Sequence, residues 1–229
     1  RYSYVAYQTA YLKAYWQTEF MAALLTYEKG DTARVVDYIG EAKDLGIAIL
    51  PPDVNESYTD FTVVYDSEEA KKTGKGTIRF GLGAVKGVGE KAVMQIIEAR
   101  KQNGLFKSLY NFCESVDLRA VNKQVIEGLI KAGAFDRLGG SRAQLIEGLE
   151  NAIKAGQQVQ LDKSRGQRSL FAEVEASSAL SSKDQDIARL PDVPAWPEMT
   201  MLKYEKDVLG LFVTSNPLSR HADTITAYS

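Results

Sequence analysis

Glycines divide the middle of this chain into short stretches whose apolar residues repeat at helical spacing. This pattern favours a mainly α fold built from several short helices. Residues 61–65 and 77–80 have the composition of strands, and the charged loop between them predicts a small β-hairpin. The predicted helices cover residues 2–29 with a break near 17–18, then 32–45, 82–86, 90–101, 108–115, 122–132 and 141–155.

The two ends of the chain have different patterns. Aromatic residues recur at helical spacing near the start, and this stripe is interpreted as core: Tyr4, Tyr7, Tyr11 and Tyr15. Residues 157–194 are polar with sparse apolar residues, which predicts an extended or flexible linker. Residues 208–213 are apolar again and indicate a strand or the end of a helix.

Composition excludes several classes of protein. One cysteine, Cys113, and one histidine, His221, cannot form an internal disulfide or a zinc or iron–sulfur site, so Cys113 is interpreted as a packed thiol. No apolar run reaches the roughly 18 residues that span a bilayer, and a cytoplasmic protein fits best. The first residue, Arg1, falls within a helical pattern, which suggests a piece of a longer polypeptide.

Charge is distributed unevenly. Residues 71–142 contain fourteen Lys and Arg against six Asp and Glu, a net charge of about +8 in a chain whose total is -2. Solvated helix faces produce such polarity, but it is also the footprint of a phosphate-binding module.

Residues 82–93 contain a short helix, a Gly-Val-Gly turn and a second helix, the order of a helix-hairpin-helix motif. Gly87 and Gly89 let the backbone approach a phosphate, and the free amides that follow, from Glu90 onward, present partial positive charge. Val88 is predicted to pack between the helices. Lys86 and Lys91 add attraction that does not depend on base identity.

A looser second copy follows at residues 122–155. Here Gly139, Gly140, Ser141 and Arg142 are the predicted phosphate contacts, with Ser141 capping the next helix. Two hairpins would follow the two strands of a minor groove. A Ser-capped helix after a glycine turn, without any ligand, remains an open alternative.

The linker contains a short peptide with two large apolar side chains. Gln167-Arg168-Ser169-Leu170-Phe171 matches the Gln-x-x-Leu-Phe pattern by which bacterial proteins bind the sliding clamp. Such a peptide orients itself through one amide and fills an apolar pocket with two side chains. Alternatively, Leu170 and Phe171 fold back on their own domain.

No catalytic arrangement is evident in the sequence. A two-metal polymerase needs paired carboxylates on a strand, whereas Asp184 and Asp186 lie in the polar linker. No nucleophile stands beside a base. The sequence therefore predicts no catalytic residue, no metal site and no cofactor within this piece, and by itself the chain should be inert.

The chain resembles the alpha subunit of bacterial DNA polymerase III, a C-family replicative polymerase. The residues that carry the resemblance are Tyr7-Gln8-Thr9-Ala10-Tyr11-Leu12-Lys13-Ala14, Glu19-Phe20-Met21-Ala22-Ala23, Ile49-Leu50-Pro51-Pro52-Asp53-Val54-Asn55, Gly81-Leu82-Gly83-Ala84-Val85-Lys86-Gly87-Val88-Gly89, Gly133-Ala134-Phe135-Asp136 and Gly210-Leu211-Phe212. Two segments depart from the family pattern, which often has His-Tyr-Pro at 15–17 and Ser-x-His-Pro-Leu at 215–218.

The resemblance implies a domain organisation and a function. Residues 1–56 would be the end of the fingers, 57–156 the hairpin with tandem helix-hairpin-helix motifs, 157–194 the linker with the clamp-binding peptide, and 195–229 a connector to an oligonucleotide-binding β-barrel. The implied partners are primer-template duplex DNA, the β sliding clamp and other replicase subunits. The Mg²⁺-binding palm aspartates of the parent polymerase would precede Arg1, and Tyr2 matches a fingers tyrosine near the nascent base pair.

Two other functions remain open. One is a free-standing, non-enzymatic DNA-binding adaptor. The other, ranked last, is a repair glycosylase built on the same hairpin, for which Asp117 and Asp136 are candidates by their distance from the turn alone.

Overall fold

The computed structural model describes residues 2–164, 186 and 189–215, and within them the chain is mostly helical with a small sheet, as predicted. The helices are α1 (Tyr2–Tyr15), α2 (Gln17–Tyr27), α3 (Thr32–Asp44), α4 (Glu68–Thr73), α5 (Glu90–Asn103), α6 (Leu109–Ser115), α7 (Lys123–Lys131), α8 (Arg142–Ser164) and α9 (Glu198–Leu209). The strands are β1 (Ile49–Leu50), β2 (Thr62–Val64) and β3 (Thr77–Arg79).

The predicted hairpin forms, and a third strand joins it. β2 and β3 pair antiparallel with Val63 opposite Ile78. β1 pairs parallel to β3, which places the latter at the centre of the sheet. The predicted loop between β2 and β3 contains α4, capped by the side chain of Ser67. Because β1 belongs to this sheet, a domain boundary at residue 56 would cut through a folded unit.

The core is one cluster of buried apolar residues from α2, α3, the sheet and the helices α5 to α9. Phe112 packs edge-on against Phe106 and Phe135, with ring centroids 4.8 and 4.9 Å apart. Cys113 is fully buried beside them, and burial raises the pKa of its thiol to about 12. The prediction of a packed thiol is therefore confirmed.

The aromatic stripe of α1 is not core. Tyr4, Tyr7 and Tyr15 are each about two-thirds exposed, and no residue of α1 is buried. Helical spacing places these rings on one face, and Tyr11 contacts its neighbours at 7 and 15, but no other described element covers that face. The core interpretation is wrong, whereas the predicted helix break is confirmed at Trp16.

The first part of the predicted linker is helical. α8 continues to Ser164, because Gly156 lets it lie directly on α6: a Cβ at that position would be 2.5 Å from the Cys113 carbonyl oxygen. The Gln160 amide also donates to the carbonyls of Cys113 and Val116. The linker prediction is therefore wrong for residues 157–164.

The apolar segment at 208–213 contains the end of a helix, not a strand. α9 ends at Leu209, and Gly210 follows it in the left-handed conformation. This helix packs against α7, and Leu202 and Leu209 are buried. None of the helices in the described ranges is long and apolar enough to cross a bilayer.

Candidate nucleic-acid interface

The first turn is a tight corner between a single 3-10 turn, Leu82–Ala84, and α5. The predicted helix at 82–86 is thus shorter than expected. Gly87 has φ 82°, a region that other residues enter only at a cost, so the corner requires glycine here. Gly89 is extended (φ -75°, ψ 153°) and begins α5.

Contacts with α7 and α9 hold the corner in place. Val88 is 7% exposed and points into the core, as predicted. Its methyl group lies beside Gly128 of α7, and the Lys86 N–H donates to the Val208 carbonyl of α9 at 2.9 Å. The corner is therefore a rigid projection supported by two other helices.

The outer side of the corner is open. A Cβ built on Gly87 or Gly89 meets no atom within 4 Å. Gly89 has no capping side chain, and the amides of Gly87, Gly89, Glu90 and Lys91 have no acceptor among the described residues. Free amides at a helix start attract anions. The corner therefore remains accessible to a phosphate.

Lysines flank these amides. Lys86 and Lys91 are exposed, and neither forms an ion pair with any residue the structure describes. Glu90 lies between the turn and Lys91, so its backbone amide can contribute to anion binding but its carboxylate cannot. The corner thus combines two cations with a row of backbone donors.

The second turn is capped from within. Ser141 Oγ accepts a hydrogen bond from the Gln144 amide at 3.3 Å, while Gln144 Oε1 accepts one from the Ser141 amide at 2.9 Å. This reciprocal capping box satisfies donors at the start of α8. A Cβ on Gly140 would lie 2.5 Å from Leu190, so the returning chain covers that glycine.

The Arg142 side chain is buried and forms its contacts within the fold. It is 5% exposed, and Nε and Nη2 donate to the Asp136 carboxylate at 2.8 and 2.6 Å. Glu205, fully buried, lies 3.6 Å from Nη1. Burial lowers the pKa of Arg142, but Asp136 and Glu205 outweigh it and raise the pKa above its usual value. These contacts argue against the predicted phosphate contact of Arg142.

Several other arginines of the basic segment are also engaged internally. Arg79 and Arg137 bind the Glu56 carboxylate, and Arg100 donates to the carbonyls of Val54 and Ser57. The net charge of residues 71–142 is therefore larger than the positive charge that this segment presents to solvent. At the first corner that charge belongs to lysines.

The two acids proposed for a glycosylase are paired with arginines. Arg119 donates to Asp117 from its backbone and its side chain, and these bonds lower the pKa of that carboxyl group. Asp136 accepts two hydrogen bonds from Arg142. Both carboxylates are thus occupied by arginines of the same fold, so the structure gives no support to a glycosylase.

The support that α9 gives to the first corner was not predicted from the sequence. Val208 accepts the Lys86 amide, and Lys206 stands in the same helical turn. A signal was present: a lysine in the last turn, apolar residues and then Gly210 are typical of a helix C-terminus. The segment 208–213 alone was too short to show it.

The remaining predicted site residues lie apart from the corner. Tyr2, at the start of α1, is 93% exposed, and its predicted proximity to a nucleotide stays a prediction. The clamp-binding peptide at 167–171 lies outside the described residues. In the part of the chain that the structure describes, no group of three acids, cysteines or histidines could hold a metal ion.

Residues 46–145, which include the first corner, match the family model described as "Helix-hairpin-helix motif". Over its whole length the chain is similar to DNA polymerase III subunit alpha of Vibrio cholerae, with 38% identity. It is 43% identical to the subunit of Thermus aquaticus over 96% of the chain, and 37% identical to that of Escherichia coli K12 over 99%. The resemblance stated from the sequence is thereby confirmed.

The chain spans less than a fifth of the length of these relatives: 18% of the Vibrio cholerae and Escherichia coli proteins and 16% of the Thermus aquaticus protein. It therefore corresponds to one segment of each.

Proposed function

We propose that this chain is the duplex-binding segment of a bacterial replicative DNA polymerase, a DNA polymerase III alpha subunit. The observation that carries the proposal is the open corner at Gly87–Gly89, where free amides and two unpaired lysines face solvent. The similarity to the alpha subunits supplies the biological setting. A cytoplasmic location follows from that setting.

The corner binds the sugar-phosphate backbone and not the bases. Amides and ammonium groups recognise phosphate oxygens, which are the same in every sequence. Affinity is therefore expected to be weak, independent of sequence and strongly reduced by salt, since each neutralised phosphate releases counterions. Weak binding that does not depend on sequence suits a polymerase that moves along duplex DNA.

A single substitution tests the corner. Gly89→Val places a branched side chain at a position whose backbone conformation accepts any residue and where no protein atom lies within 4 Å. Folding should be unchanged, while the approach of a phosphate is blocked. In fluorescence anisotropy with a labelled 20-base-pair duplex at low salt, we expect binding at least tenfold weaker. Unchanged affinity would remove the corner from the interface.

The linker peptide is the proposed attachment to the β sliding clamp. Leu170 and Phe171 are the apolar pair that would enter a pocket on the clamp. Anisotropy with purified clamp should show binding by the wild-type chain and none by the Leu170→Ala, Phe171→Ala double variant. Equal binding by both would refute the tether.

Polymerase activity is proposed for the parent protein only. The carboxylates that would bind Mg²⁺, together with the surfaces for other replicase subunits, are expected in the rest of the parent polypeptide, and the segment alone is expected to be inactive. Primer extension by the 229-residue chain would contradict this.

Reading the codons before Arg1 separates the two remaining functions: clustered palm aspartates support the polymerase, and a nearby start codon supports an adaptor.

A further inference from the structure

A groove of about 380 Å³ opens beside the first corner, where the end of α9 meets the start of α3. Its lining is Thr32, Lys86, Lys206, Asp207, Val208 and Gly210. Lys86 and Lys206 are exposed and form no ion pair with any described residue. The lining therefore contains two lysines and one aspartate, which gives the groove a net positive charge next to the amides of the corner.

The two sides of the groove are fixed to each other. The Lys86 N–H donates to the Val208 carbonyl at 2.9 Å, so the corner and the last turn of α9 share a hydrogen bond. A Cβ on Gly210 would lie 2.2 Å from the Thr32 methyl group, which shows how closely α9 approaches α3. The Lys206 ammonium lies 5.4 Å from the centre of the Phe212 ring, which restricts its position.

The buried end of α9 adds rigidity. Glu205 is fully buried, pairs with Arg142 and accepts the amides of Val213 and Thr214 at 2.5 and 2.8 Å. Lys206 follows directly and is exposed to solvent. Its backbone is therefore held in place before any ligand arrives, which lowers the entropic cost of a contact.

We propose that the end of α9 is part of the duplex-binding surface and that Lys206 binds the backbone phosphate next to the one held by the Gly87–Gly89 amides. The inference rests on the proposed DNA binding of the corner. One hairpin corner holds one phosphate, whereas a duplex presents phosphates in a continuous row. Asp207 repels the strand from its own side of the groove and directs it toward the two lysines.

The test is Lys206→Gln in the 229-residue chain, which keeps a polar side chain, shorter by one atom, and removes its charge. Duplex affinity at low salt should fall about three- to tenfold, and the slope of log K against log salt concentration should decrease by about one. Lys206→Arg should restore both. Lys43→Gln is the matched control: it removes an exposed lysine at the far end of α3, roughly 16 Å along the helix from Thr32, and should change neither.

The outcomes separate this inference from the function it rests on. Phe212→Leu removes the ring next to the Lys206 ammonium group. If this variant and Lys206→Gln both bind duplex more weakly but keep the wild-type salt slope, Lys206 has a structural role and the proposal is overturned. If Gly89→Val weakens binding but Lys206→Gln leaves affinity and slope unchanged, the α9 contact is refuted and the corner stands. If the wild-type chain binds no duplex at all, both proposals fail.

Discussion

The two glycine turns of this chain have similar sequences and different surroundings. In the first, the amides of Gly87, Gly89, Glu90 and Lys91 have no acceptor among the described residues, and Lys86 and Lys91 face solvent. In the second, Ser141 caps its own helix and Arg142 is buried between two carboxylates. A glycine turn before a helix therefore becomes an anion site only where the fold leaves its donors unused.

The second turn instead anchors α9. Arg142 holds Glu205, and one helical turn later Val208 accepts the amide of Lys86 in the first corner. The buried ion pair thus lies on a continuous path of contacts from the second turn to the first. One turn supports the surface that the other presents.

The largest effect is expected from Arg142→Ala. Glu205 would remain buried without its cation, so the free energy of unfolding should fall by about 3–5 kcal/mol. Urea denaturation measures this. The control, Arg119→Ala, removes an arginine that is 92% exposed and paired with Asp117, and should leave the free energy of unfolding unchanged. A stable Arg142→Ala chain that binds duplex tenfold more weakly would make the second turn a DNA contact.

A pair of glycine substitutions comes next. Gly87 and Gly104 both have φ 82° and open space around the missing Cβ, but they lie at opposite ends of α5. Alanine at either position should cost about 1–3 kcal/mol of stability from backbone strain. Only Gly87→Ala should also weaken duplex binding, by about tenfold in anisotropy. Equal affinities for the two variants would contradict the assignment of the corner.

Removing the cap of the second turn has a smaller effect. Ser141→Ala should lower stability by about 1 kcal/mol, as should Asn122→Ala, which removes the cap of α7. Thermal unfolding compares the two. Neither variant should change duplex affinity. Weaker binding by Ser141→Ala alone would show that its hydroxyl contacts DNA.

The smallest effect is expected from a single lysine of the first corner. Lys91→Gln should reduce affinity about threefold at low salt and lower the salt slope by about one, because one phosphate contact is lost. Lys101→Gln, at the other end of α5, is the control and should leave both unchanged. Equal losses of duplex affinity in Lys91→Gln and Lys101→Gln would contradict the assignment of the first corner as the phosphate site.

The sequence predicted local features well because each depends on few residues. Val88 packs inward, and Asn122 and Ser108 cap the helices expected after them. The fate of Arg142 depended on Glu205, 63 positions further along the chain, and no local pattern could show that pairing. The tyrosines of α1 illustrate the same limit, because periodicity identifies a face of a helix but not what covers it.

The most direct test of the account is an NMR titration of the ¹⁵N-labelled chain with a short duplex at low salt. The account predicts that the amides of Gly87, Gly89, Glu90 and Lys91 shift first and most, while those of Gly139, Gly140 and Ser141 stay in place. Shifts confined to the second turn, with the first unperturbed, would contradict it.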